Sequence, residues 1–178
     1  MAAIAEQAQV SKANIFHHYK SKQALYREVM RFALADSARS LDDLEQAQGT
    51  LPERVHRFAR DRLASYIDQP QAMRLILREL TQEGPESGLH LVREDFMKSY
   101  TRMVNLIRSD QEKGLVRSGP HPGVIALLVS AANIFFAQIR PGMRQFPDTD
   151  YLDDPDAFCA MVMDIVFNGV MAPSRPLP

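Results

Sequence analysis

Apolar positions recur at three- and four-residue spacings along most of the chain, and no alternation of apolar and polar residues persists long enough to mark a strand. The pattern predicts an all-α protein. Residues 1–7 read as a short helix. A second short helix follows, in which Ile15 and Tyr19 lie four apart and share a face. That face is expected to pack on Ile4, Ala5 and Ala8, with Val10 sealing the turn. Ser11 suits the N-cap, because its hydroxyl can accept from the free N–H of Ala13 or Asn14. Ser21 suits the next cap, which puts Lys22 in the first turn of a helix over about 22–46.

Leu25, Val29, Phe32, Ala33 and Leu41 supply the apolar side of that helix, and its acidic end, 42–45, is expected to fray before Gly49. Thr50-Leu51-Pro52-Glu53 is a start signal, with proline in the first turn. It opens a helix to about Asp68 with Val55, Phe58, Leu63 and Ile67 inside. Pro70 begins the next helix, striped by Met73, Ile76, Leu77 and Leu80 and stopped by Gly84-Pro85. The longest helix spans 86–113. Leu89, Val92, Phe96, Tyr100, Met103, Val104 and Ile107 form its inner face, and Gly114 follows its end. An apolar helix over about 123–139 is ended by Arg140-Pro141-Gly142. A loop then runs to Asp153. Asp154-Pro155 starts the last helix, which carries Phe158, Met161, Val162, Ile165 and Val166. The Pro-rich residues 172–178 read as a disordered tail.

The face of the second helix opposite Ile15 shows Lys12, Ala13, Asn14, His17 and His18. These side chains are small, cationic or hydrogen-bonding, with little bulk near the helix start. A helix that enters the major groove needs such a face. Lys22 opposes the dipole of its own helix, a cost that makes sense if a phosphate also sits at that helix end.

The blocks Val10-Ser11-Lys12, Ile15-Phe16-His17-His18-Tyr19 and Ser21-Lys22-Gln23-Ala24-Leu25-Tyr26 together resemble the helix-turn-helix of TetR-type (TetR/AcrR) transcriptional regulators. The resemblance implies a DNA-binding head on a helical ligand-sensing and dimerisation domain. It places Lys12, Ala13 and Asn14 near base edges, beside the capping Ser11. Phe16, His17, His18 and Lys22 then approach the sugar-phosphate backbone or adjacent bases. Asparagine can pair with adenine and lysine with guanine, whereas Lys22 would add affinity without sequence information. Two departures stand out. The family's first helix is absent from these 178 residues, so the head reads as incomplete. Gln9 stands where the family usually has glycine, at a turn position that favours positive φ.

Charge adds to this picture. Residues 1–31 carry Lys12, Lys20, Lys22, Arg27 and Arg31 against Glu6 and Glu28, a balance of +3, while the remaining residues balance at −4. A basic head on an acidic body suits a protein that sets one end on a polyanion. The single cysteine, Cys159, excludes an internal disulfide and a thiolate zinc cluster, which fits a reducing cytoplasm. It is expected to be a buried small hydrophobe rather than a redox sensor. No leader of signal-peptide type is visible. The sixteen-residue apolar run 124–139 is shorter than the roughly 20 residues a membrane span needs, so it reads as a buried helix.

No metal or cofactor is expected. His17 and His18 are adjacent on a helix and point about 100° apart, a poor chelate, and His56, His90 and His121 lack the spacing of a zinc site. No phosphate loop, nucleophile elbow or metalloprotease motif is present, so nothing asks for an enzyme.

In the body, Met73, Phe96, Tyr100, Met103 and Phe135 are candidates to line a ligand cavity, with Arg78 to orient a polar group. Met97, Phe136, Arg74 and Glu79 lie on the same helices, and for any one of these residues plain core packing is the simpler reading. The division expected is a DNA-binding head with its connecting helix over 1–45, a ligand-binding and dimerisation domain over 46–171, and the tail. The resemblance implies a homodimer through the last two helices, a double-stranded operator, an unidentified small-molecule effector and no membrane. A role as repressor follows by resemblance only. The alternative is a helical homodimer that binds a small molecule or partner protein without binding DNA.

Overall fold

The computed structural model describes residues 1–81 and 89–169, with the side chains of 89–93 and 95 left out. The stop at Gly84-Pro85, the side chains of Leu89 and Val92, and the tail 172–178 lie outside the described residues. Eight α-helices and one 3₁₀ turn appear among the described residues: α1 (Ala2–Gln7), α2 (Lys12–His18), α3 (Lys22–Gln46), α4 (Leu51–Asp68), α5 (Pro70–Thr81), α6 (Leu89–Glu112), α7 (Pro122–Met143), the 3₁₀ turn Asp150–Leu152, and α8 (Pro155–Asn168).

The helix starts are built by the expected caps. Ser11 Oγ accepts from the Asn14 N–H at 3.0 Å and Ser21 Oγ from the Ala24 N–H at 3.1 Å. Thr50 and Glu53 form a reciprocal capping box at the start of α4. Asp154 caps α8 through the Ala157 N–H at 2.9 Å. One cap was not expected: His121 caps α7, its Nδ1 accepting from the Gly123 N–H at 3.1 Å. Gly123 is buried against the Tyr100 hydroxyl, and a Cβ there would collide with it.

One core holds the body together. Leu41 and Leu44 of α3, Val55 and Leu63 of α4, Ile107 of α6, Val129 and Phe136 of α7 and Cys159 of α8 are buried in a single cluster. The second half of α3 therefore belongs to the packing of the body. Asn133 crosses this core, its Nδ2 donating to the Ala59 carbonyl at 2.6 Å.

Five expectations need correction. Val29 and Phe32 are exposed, and the buried side of α3 runs instead through Met30, Leu41 and Leu44; in a long helix the phase of the stripe drifts, and only tertiary contact selects which side is covered. The acidic end of α3 stays helical to Gln46, because Arg54 Nη2 donates to the Leu44 carbonyl at 2.7 Å and to that of Glu45 at 3.1 Å. Helix α7 passes through Pro141 to Met143, because a proline one turn from the end removes a single hydrogen bond and Met143 packs on the core. At 22 residues α7 is long and apolar enough to cross a membrane by length and composition, and a third of its apolar window is buried inside the chain. In the head, Ala5 and Ile15 are buried, whereas Ile4, Ala8 and Val10 are exposed.

Candidate nucleic-acid interface and ligand cavity

The head is a turn between two short helices. Gln9 has φ 55°, the left-handed conformation that the turn demands, and its N–H donates to the Glu6 carbonyl at 3.1 Å. The Val10 N–H then returns to the Ala5 carbonyl at 3.0 Å, and Ser11 starts α2. Ile15 turns inward. Lys12, Ala13, Asn14, Phe16, His17 and His18 are all exposed, as are Ser11 and Lys22. All eight lie on α2, its N-cap and the first turn of α3.

Lys12 Nζ lies 5.9 Å from the Phe16 ring centroid, one helical turn on. The rings of His17 and His18 meet edge-on with centroids 5.1 Å apart. Among the described residues, Lys12, Lys20 and Lys22 form no ion pair with a carboxylate. Their charge is thus uncompensated by a carboxylate among the described residues. No group of three or more metal-ligating side chains gathers among the described residues.

The body contains a cavity of about 90 Å³ between α3, α4, α5, α6 and α7. Met73, Phe96, Tyr100 and Met103 line it, whereas Arg78 and Phe135 do not. The rings of Phe96 and Tyr100 stack at 6.2 Å. Arg78 is held elsewhere: its Nη2 donates to the Tyr26 hydroxyl at 3.1 Å and to Glu79 Oε1 at 3.3 Å. Phe135 is 65 % exposed on the outer side of α7. An aromatic on an apolar helix suggests burial, but sequence spacing does not say which side of α7 meets the body.

Sequence reasoning missed the α4 wall. Phe58, Arg62 and Tyr66 follow one another at four-residue spacing and all face the cavity. Phe58 was legible as an inward residue. Arg62, one turn on, carries no sequence signal for the cavity, because a charged residue is usually on the surface. Arg62 is 5 % exposed. Its guanidinium lies 4.7 Å over the Tyr66 ring, and its Nη1 is buried with no hydrogen-bond partner among the described residues.

Residues 1–29 match the family described as bacterial regulatory proteins, tetR family. No curated protein matches the chain in sequence. Several solved structures share its fold. The TetR-family transcriptional regulator PfmR of Thermus thermophilus is 15 % identical, with a TM-score of 0.73 over 94 % of this chain and 87 % of that one. A member of the TetR transcriptional regulator family from Streptomyces coelicolor is 20 % identical, with a TM-score of 0.72 over 96 % and 82 %. The transcriptional regulator FadR of Bacillus subtilis, solved in complex with stearoyl-CoA, is 13 % identical, with a TM-score of 0.68 over 96 % and 88 %. Residues 1–29 are thus similar to the tetR-family helix-turn-helix, and the chain as a whole shares the fold of these solved TetR-family structures.

Proposed function

We propose that this protein is a ligand-responsive, DNA-binding transcriptional regulator, acting in the cytoplasm as a homodimer and most simply as a repressor. The observation that carries the reading is the exposed, carboxylate-free face of α2 behind the Gln9 turn. Lys12 and Asn14 read base edges, Ala13 leaves room for close approach, and Phe16, His17, His18 and Lys22 hold the backbone. The Ser11 hydroxyl, whose oxygen caps α2, keeps its O–H free for a phosphate.

One such head offers a small footprint, and two heads at a fixed spacing gain half-site recognition. The exposed apolar faces of the last two helices support the pairing. Val124, Leu128 and Phe135 make an outward stripe on α7, and Met161 and Ile165 do so on α8. A second copy of the chain covers both stripes in a four-helix arrangement. The division into a head with its connecting helix and a body follows from the same reading, with α3 as the lever between them. A small molecule in the body favours one placement of the heads and so changes operator affinity. FadR of Bacillus subtilis, which shares the fold, holds stearoyl-CoA, and that precedent supports an effector in the body here.

Fluorescence anisotropy with duplex DNA from upstream of this protein's own reading frame, at two salt concentrations, tests the reading. Saturable binding that weakens steeply with salt is expected. Lys22→Ala should weaken binding to every sequence and lower the salt slope by about 0.9, and Asn14→Ala should relax the preference at one base pair. Absence of binding to both the upstream duplex and random duplexes would overturn the reading in favour of a helical homodimer without DNA.

A further inference from the structure

A buried arginine without an anion is costly in a protein interior, because the charge has left water and nothing has replaced it. Arg62 is in that position. It lies in the middle of the α4 wall, between Phe58 and Tyr66, and the face of Tyr66 is its only described neighbour with an electrostatic attraction. The ring stabilises the flat face of the guanidinium but accepts nothing from its N–H edge. Nη1 therefore keeps an unused donor.

The rest of the wall decides what the donor is for. Among the described residues, no other charged side chain lines the cavity. Leu34, Met73, Ile76, Phe96 and Met103 are apolar, and Ser130 and Asn133 are neutral. Asn133 is already engaged with the Ala59 carbonyl and with Cys159. One positive charge in an otherwise apolar and neutral chamber matches a ligand with one negative charge and an apolar remainder. A phosphate dianion would keep unbalanced charge there. Size narrows the class further. The cavity, about 90 Å³, has room for a small molecule.

We propose that the cavity binds a small amphipathic monocarboxylate whose carboxylate is held by Arg62 and whose aliphatic or aromatic remainder lies among Met73, Phe96 and Met103. The inference rests on the ligand-sensing part of the proposed function and supplies the effector class. Carboxylate oxygens accept from the guanidinium edge while Tyr66 supports its face.

Isothermal titration calorimetry on the full chain, without DNA, tests it with benzoate and hexanoate against benzamide and hexanamide. The carboxylates should bind about tenfold or more tightly than the amides of the same shape. Arg62→Met should remove that preference, leaving acid and amide to bind alike. Equal binding of acid and amide to the wild-type chain would overturn the proposal, and that comparison needs no variant to fold. An Arg62→Met chain that still prefers the acid, or a wild-type chain that takes none of the four probes, would overturn it as well. Anisotropy with operator DNA is read separately. DNA binding without carboxylate binding overturns this inference alone, whereas carboxylate preference without DNA binding supports it and removes only the regulator reading.

Discussion

The Tyr26 hydroxyl donates to the buried carboxylate of Glu79, and in doing so joins the first turns of α3 to the last turn of α5. Arg78 closes the group by donating to both. Helix α5 also supplies Met73 and Ile76 to the cavity wall, and Tyr26 stands four residues after Lys22. The contact thus links a helix of the cavity wall to the start of α3, the path along which the proposed ligand signal would reach the head. Burial, followed by the bond to Glu79, holds the Tyr26 phenol above its ordinary value, so it remains a donor at neutral pH. Tyr26→Phe should leave Glu79 buried with Arg78 alone and cost about 1–3 kcal/mol, read by urea unfolding. If the contact transmits the signal, the same variant should reduce the change in DNA affinity caused by ligand; an unaltered response would remove it from the path.

Arg102 joins α6 to the acidic end of α3, with Nε 2.7 Å from Glu45 Oε1 and Nη2 2.7 Å from Asp42 Oδ1. These hydrogen bonds hold the Glu45 carboxyl below its ordinary 4.5. A depressed folded pKa adds stability above pH 4.5 and loses it as the pH falls through the folded value. Glu53, lowered by the Thr50 N–H, acts in the same direction. Denaturation midpoints should therefore fall below about pH 4.5, and Arg102→Met should flatten that acid limb. At neutral pH the partly exposed pair contributes about 1 kcal/mol or less.

Gln9 pays for its left-handed φ of 55°. Gln9→Gly should raise the stability of the head by up to about 1 kcal/mol, and Gln9→Val should lower it by more, since a β-branched side chain tolerates that region poorly. Hydrogen exchange of the α2 amides reads both. Equal protection in the two variants would mean that the turn is not what holds α2.

Cys159 is fully buried between α7 and α8, with Sγ 3.8 Å from Asn133 Oδ1. Burial pushes its thiol from 9.0 up to about 11. A raised folded pKa means that stability is complete below pH 9 and declines as the pH rises toward 11. The decline should lessen in Cys159→Ala. Thiol reagents should label the native chain no faster than it opens, and rapid stoichiometric labelling at pH 7 would contradict the burial.

Leu128→Asp combined with Ile165→Asp places charges on the exposed stripes of α7 and α8. Light scattering should then report the mass of one chain instead of two, with helicity retained. A wild-type chain that already runs as a monomer at micromolar concentration would dismiss the dimer.

The helix starts of head and body and the tight turn of the head were legible in the chain itself. Ser11, Ser21, Thr50 and Asp154 are caps whose partners lie three residues away, and Gln9 is a turn residue whose neighbours impose its φ. Such features depend on contacts within one turn, which a linear pattern contains. The exposed polar face of α2 follows from the burial of Ile15 on the opposite side. The cavity was legible only in part, since Met73, Phe96, Tyr100 and Met103 lie on stripes that had to face inward somewhere.

What the amino-acid order determined by itself was therefore local: where helices begin, which turns are tight, and which end is basic. Tertiary structure alone decided which side of a long helix is covered. It exposed Val29, Phe32 and Phe135 and took Arg78 to Tyr26. It also buried Arg62 against Tyr66. Residues equally spaced along a helix are equivalent until another helix packs against one side, and that choice belongs to residues dozens of positions away.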